Sequence, residues 1–172
     1  SVYFSKRVNE AVPDMGEIPC HSNLTERLDY ESELAVIIGK DARNVKAEDA
    51  YDYIFGYTIL NDISAREVQN LHKQWYFGKS LDDFTPIGPC IVTEDEFERP
   101  PRRKITSKIN GELRQDSTTD MLIHGIDEII EDLTSGMTLL PGTIIATGTP
   151  SGVGMGMDPP CFLERGDVVT CE

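Results

Sequence analysis

The sequence predicts an α+β fold on its mainly β side. Apolar runs of strand length recur along the chain, bounded by Gly, Pro and Asn. Only GIDEIIEDLTSG sustains a clear helical period. Strands and helices do not alternate regularly, which sets aside a doubly wound sheet.

Residues 1–28 are rich in Pro, Gly, Asn and Ser and read as loop with short extended pieces. YESELAVIIGK, residues 30–40, reads as a strand closed by Gly39. A helical turn over Ala47–Tyr51 then passes into the strand YIFGYTILND. ISAREVQNLHK is helical or 3₁₀, and FTPIGPCIVT is a Pro-punctuated strand. RRKITSKINGELRQ is a hairpin turning at Asn110-Gly111, the residue pair that tolerates two positive φ angles. In GIDEIIEDLTSG, Ile126, Ile129, Ile130 and Leu133 make one apolar face. Asp127 and Glu128 sit in its first turn, and Gly136 is expected just past its end. LLPGTIIATGTPSG runs from a strand into a Gly-rich loop, and GDVVTCE is a last strand.

The 172 residues suit a single domain, 1–172, with a sizeable core. The chain opens on Ser1 and stops at Glu172 beside a strand, so residues are expected to be lacking at both ends. A net charge of −14 repels nucleic acid and anionic lipid, and no run has the length of a membrane span or the layout of a signal peptide. Neither partner is expected. Cys20, Cys90, Cys161 and Cys171 form no C-x-x-C pair and match no zinc spacing, so they read as reduced, structural thiols of a cytoplasmic protein.

Side chains alternate along a strand, so Glu31, Glu33, Ala35 and Ile37 share one face. Both faces turn apolar after Glu33, as in a strand buried on both sides. Two carboxylates about 7 Å apart in such a setting are costly unless something neutralises them. A hard divalent cation does so with oxygen ligands alone. Asp62, at the end of YIFGYTILND, is the best third ligand. Read by itself, an E-x-E pair more often marks the exposed start of an edge strand.

Four blocks in order, LDYESELAVIIGK, GYTILNDISAREVQ, WYFGKSLDDFTPIGPCIV and LLPGTIIATGTPSGVG, resemble the fumarylacetoacetate hydrolase family from about Leu28 to Glu172. The resemblance implies a mixed β-roll catalytic domain, usually a homodimer, with Glu31, Glu33 and Asp62 holding Mg²⁺ (Mn²⁺ or Ca²⁺ being alternatives). It also implies Lys79 as the active-site lysine and Arg66 and Gln69 as contacts to substrate oxygens. Thr149, in a loop without P-loop or dinucleotide form, matches a residue that holds a substrate carboxylate. Arg66 follows Asp62 by four residues, so one helical turn would put both on one face; the alternative for Arg66 is a structural salt bridge to Asp62. The implied activity is metal-dependent hydrolysis of a carbon–carbon bond in a small acylpyruvate-like 2-oxo acid. The same site serves isomerases, tautomerases and decarboxylases of 2-oxo or hydroxymuconate-type diacids, and a non-catalytic binding domain is the remote alternative. The H-x-x-E pair with which hydrolases of this family activate water has no match here; His21 and Glu26 lie in the right region at the wrong spacing.

Overall fold

The computed structural model describes residues 2–172. In chain order the elements are β1 (Leu28–Asp29), β2 (Ser32–Ile38), β3 (Ile54–Asn61), β4 (Ser64–Ala65), α1 (Arg66–Leu71), α2 (Trp75–Lys79), β5 (Ile87–Thr93), β6 (Lys104–Ile109), β7 (Glu112–Thr118), α3 (Ile126–Gly136), β8 (Ile144–Ala146) and β9 (Val169–Cys171). A 3₁₀ turn over Ala47–Tyr53 feeds β3. The predicted mainly β class with few helices is what forms.

Three sheets carry the architecture. A four-stranded sheet runs β5-β3-β2-β8, a three-stranded one β7-β6-β9, and a short pair joins β1 to β4. In the first sheet the pairings are antiparallel, with Ser32 opposite Asn61 and Glu33 opposite Leu60. The β6–β7 hairpin turns at the predicted Asn110-Gly111, whose φ angles of 52° and 83° are the left-handed pair such a turn needs.

β2 is central and buried along nearly its whole length, as its doubly apolar pattern foretells. Val36 and Ile38 pack with Ile54, Tyr57 and the Ile126–Ile130 stripe of α3 in the larger core. A second core of Leu28, Ile63, Ala65, Val68, Leu81 and Phe84 lies under α1. That smaller core is the floor on which α1 and α2 are set.

Two expectations need correction. Gly136 is the last residue of α3 rather than the one beyond it; the cap is Met137, whose N–H reaches the Leu133 carbonyl. At the other end the Glu128 carboxylate accepts the Gly125 N–H at 3.3 Å, which satisfies one donor left open by the first turn. Of the four unpaired cysteines, Cys90 and Cys161 are exposed, so they are not packing thiols in this chain. Among the described residues no helix is long and apolar enough to cross a membrane.

Candidate metal centre

Strand register brings the carboxylates together. With Ser32 opposite Asn61, Glu31 falls opposite Asp62, and the Asp62 N–H donates to the Glu31 carbonyl at 2.8 Å. Glu33 lies two residues along the same face. One oxygen from each of Glu31, Glu33 and Asp62 lies within 4.8 Å of the others, with all three residues buried. Their exposures are 8%, 3% and 1%, which rules out the exposed edge-strand reading of the E-x-E pair.

Lys79 is 2% exposed and bridges two of them, with Nζ 2.7 Å from Glu31 Oε2 and 2.6 Å from Asp62 Oδ2. Gly78 explains how it arrives there. A Cβ at that position would meet the Gln69 backbone N at 2.6 Å, so only glycine lets α2 press against α1. Sequence reasoning missed a second lysine, Lys6. Its Nζ donates to Asp62 Oδ1 at 2.6 Å and to the Phe84 carbonyl at 2.5 Å. It sits in an N-terminal segment without periodicity, and no local signal points to it. Burial lowers the Lys6 pKa, and Asp62 offsets that only in part.

Arg66 does not share a helix face with Asp62, nor does it pair with it. Asp62 precedes an extended stretch, and Arg66 is the first residue of α1. Its guanidinium meets Asp29 Oδ2 at 2.8 Å, Glu31 Oε1 at 2.7 Å and Gln69 Oε1 at 3.1 Å. Gln69 is thereby brought to the cluster through Arg66. The Thr149 hydroxyl donates to the Ser32 carbonyl at 3.0 Å and accepts from Gln115 Nε2 at 2.7 Å, while the adjacent Gly148 N–H donates to Glu33 Oε2 at 2.7 Å. Fully buried Gln115 also accepts the Ser32 N–H, so one β7 side chain ties the Gly-rich loop to the ligand strand.

The three carboxylates are not equally neutralised. Glu31 has Arg66 and Lys79, and Asp62 has Lys79 and Lys6. Among the described residues Glu33 has a backbone N–H and no paired cation. Burial, then Asp62 and Glu31, push its carboxyl up to about 8 against the pull of Gly148 and Lys79. A buried oxygen-only set with one uncompensated acid fits a hard divalent cation.

A signed consequence follows for the metal-free protein. Glu33 holds its proton in the fold more tightly than in the unfolded chain, so the stabilisation is complete at low pH. It is lost as pH rises from the ordinary carboxylate range through about 8. Thermal melts in chelator should therefore fall across that window more steeply for wild type than for Glu33→Gln. Added Mn²⁺ should abolish the difference at pH 8, because binding then supplies the missing positive charge.

Comparison with known proteins gives the family and the fold. The family model for the C-terminal part of fumarylacetoacetate hydrolase matches residues 1–172. The chain belongs to the fumarylacetoacetate hydrolase family. It is 52% identical over 152 residues to oxaloacetate tautomerase YisK of Bacillus subtilis, covering 88% of this chain and 50% of that protein. Its fold superposes on a fumarylacetoacetate hydrolase of Exiguobacterium antarcticum with a TM-score of 0.92 at 46% identity, over 94% of this chain and 58% of the other. A 2-hydroxyhepta-2,4-diene-1,7-dioate isomerase of Mycobacterium marinum matches at 37% identity and a TM-score of 0.77, over 96% of this chain and 59% of that one. The expected fold of the family's catalytic domain is therefore present, and relatives named as enzymes surround it. The chain spans about half the length of the curated relatives it matches.

Proposed function

We propose that this chain carries the catalytic centre of an enzyme that interconverts the keto and enol forms of a small 2-oxo acid held on a divalent cation. The observation that carries this reading is the convergence of Glu31, Glu33 and Asp62 under two ammonium groups and one guanidinium. When bound, Mg²⁺, or Mn²⁺ or Ca²⁺ on the same donors, supplies Lewis acidity toward the 2-oxo group and its neighbouring carboxylate. The three carboxylates would hold it.

The remaining work falls to the chain's own residues. Lys79 and Lys6 keep positive charge fixed beside Asp62, where the 2-oxo oxygen becomes negative as the α-proton passes to solvent water and a proton returns to that oxygen to complete the enol; such preset charge favours the transition state over the ground state. Arg66 and Gln69 orient substrate oxygens from the Glu31 side, while the Thr149 hydroxyl, whose proton goes to the Ser32 carbonyl, fixes the Gly-rich loop beside the ligand strand. Charge counting supports an anionic substrate despite the surface. Four buried carboxylates (Asp29, Glu31, Glu33, Asp62) oppose two buried cations (Arg66, Lys79) and the half-buried Lys6, a formal −1. A divalent ion turns this into +1, a local sign opposite to the overall −14.

Tautomerisation is favoured because it needs proton transfer without an attacking water, and because the relative at 52% identity is named for it. The second reading is hydrolysis of a carbon–carbon bond in an acylpyruvate, favoured by the superposition on a fumarylacetoacetate hydrolase. That reaction needs a base to activate water. His21 is engaged elsewhere, with Nε2 3.0 Å from the Asp82 carbonyl and its ring edge-on to Phe84. A homodimer, as the family resemblance implies, placed in the cytoplasm on the strength of its unpaired cysteines, completes the proposal.

The test is a side-by-side assay of oxaloacetate, acetylpyruvate and 2-hydroxyhepta-2,4-dienedioate with Mg²⁺ and with chelator. Metal-dependent enol–keto conversion of oxaloacetate, faster than cleavage or decarboxylation of any of the three, is expected. Cleavage of acetylpyruvate as the dominant reaction would replace tautomerisation with hydrolysis. No metal-dependent reaction on any of them would remove the 2-oxo acid reading.

A further inference from the structure

Asp29 stands outside the carboxylate cluster, yet among the described residues it is the buried acid that accepts the most hydrogen bonds. It is 0% exposed and accepts four hydrogen bonds. Oδ1 takes the Tyr30 N–H at 3.0 Å and the Gly154 N–H at 2.7 Å. Oδ2 takes the Met155 N–H at 2.9 Å and Arg66 Nε at 2.8 Å. The last two bonds link parts of the chain far apart in sequence: the loop that follows Thr149 and the guanidinium that grips Glu31. The approach is tight, since a Cβ on Gly154 would strike the Cys161 carbonyl and come within 2.9 Å of Asp29 Oδ1.

We infer that Asp29 is a positioning residue for the metal centre, holding one edge of the Arg66 guanidinium so that Glu31 keeps its charge available to a cation. The inference rests on the metal-centre reading above. A guanidinium presents several donors in a rigid fork and serves two carboxylates at once. Here Nε goes to Asp29 and Nη1 to Glu31 at 2.7 Å. With Asp29 neutralised, Arg66 has only Glu31 as a counter-charge. The arginine then competes with the incoming ion for the same oxygens. An amide at position 29 can still accept from Tyr30 and Gly154, but its NH₂ would face the Met155 N–H and the Arg66 N–H, donor against donor. The same carboxylate anchors the far end of the Thr149 loop, so loop and ligand strand are set by one group.

The measurement is Mn²⁺ affinity by calorimetry on wild type, Asp29→Asn, Arg66→Lys and the double variant Asp29→Asn/Arg66→Gln, with a melting curve for each. Asp29→Asn should weaken Mn²⁺ by about 10-fold or more, the range typical of losing a partner behind a metal ligand. Arg66→Lys keeps the charge but cannot span both carboxylates, and should show a similar loss; it serves if Asp29→Asn does not fold. In the double variant the competing charge is gone, so Mn²⁺ affinity should return toward wild type. A merely structural Asp29 would give no such return. Wild-type affinity in folded Asp29→Asn, unchanged affinity in Arg66→Lys, or a double variant as weak as the single would overturn the inference while leaving the metal centre standing. A wild-type protein that takes up no Mn²⁺ overturns the metal centre itself, and this inference with it.

Discussion

Glu33→Gln is expected to lose metal binding and turnover together while gaining stability as a metal-free protein at pH 8. The reason lies in its surroundings. Among the described residues Glu33 is the one member of the triad without a paired cation, and its carboxyl is raised to about 8 by burial and by Asp62 and Glu31. A neutral amide keeps the shape, can still accept the Gly148 N–H, and removes the like-charge repulsion. It also removes the charge that a divalent ion requires. Affinity for Mn²⁺ should fall by about 100-fold or more, at the upper end of what disturbing a metal's surroundings does, since here a ligand itself is changed. A variant with normal turnover and normal metal content would show that Glu33 is not a ligand. Gain of stability with loss of function is the signature of a site held in an unfavourable state for its task.

Lys79→Met is expected to have the opposite sign on stability. Its ammonium is the shared partner of Glu31 and Asp62 at 2.7 and 2.6 Å in a site only 2% exposed at the lysine. Methionine fills much the same volume and leaves two buried carboxylates facing each other. Removing one partner of a buried pair costs roughly 3–5 kcal/mol, which chelator-treated melts would register as a large drop in Tm. Mn²⁺ should restore much of it, because the ion replaces the lost charge. Turnover should remain depressed by about 100-fold or more even with the metal bound, as when a preset donor to a developing oxyanion is deleted. Restored activity in the metal-loaded variant would reduce Lys79 to a structural counter-ion.

How far the sequence foretold this site depends on which contacts are local. Glu31 and Glu33 were legible because a two-residue period puts them on one face, and Asp62 because a polar residue ending an apolar strand faces a cleft. What joins them, Ser32 paired with Asn61, is a register that the alternating pattern does not specify. Lys79 was legible through its block. The short helix α2 that carries it was not, since WYFGK has no apolar period of useful length. Arg66 is legible through its block, but a spacing of four does not put it on a helix face with Asp62, because Ser64 and Ala65 form β4 and α1 begins only at Arg66. Lys6, Asp29 and Gln115 meet the site through separations of 56, 37 and 83 residues. Such contacts are set by packing of distant elements, and the local sequence holds no trace of them.

The central claim is that one hard cation belongs among Glu31, Glu33 and Asp62. Anomalous diffraction from crystals soaked in Mn²⁺ reads this directly. The account predicts one strong peak per chain within bonding distance of oxygens from all three residues. A crystal with Mn²⁺ bound only elsewhere, and with Lys79 still bridging Glu31 and Asp62, would contradict it.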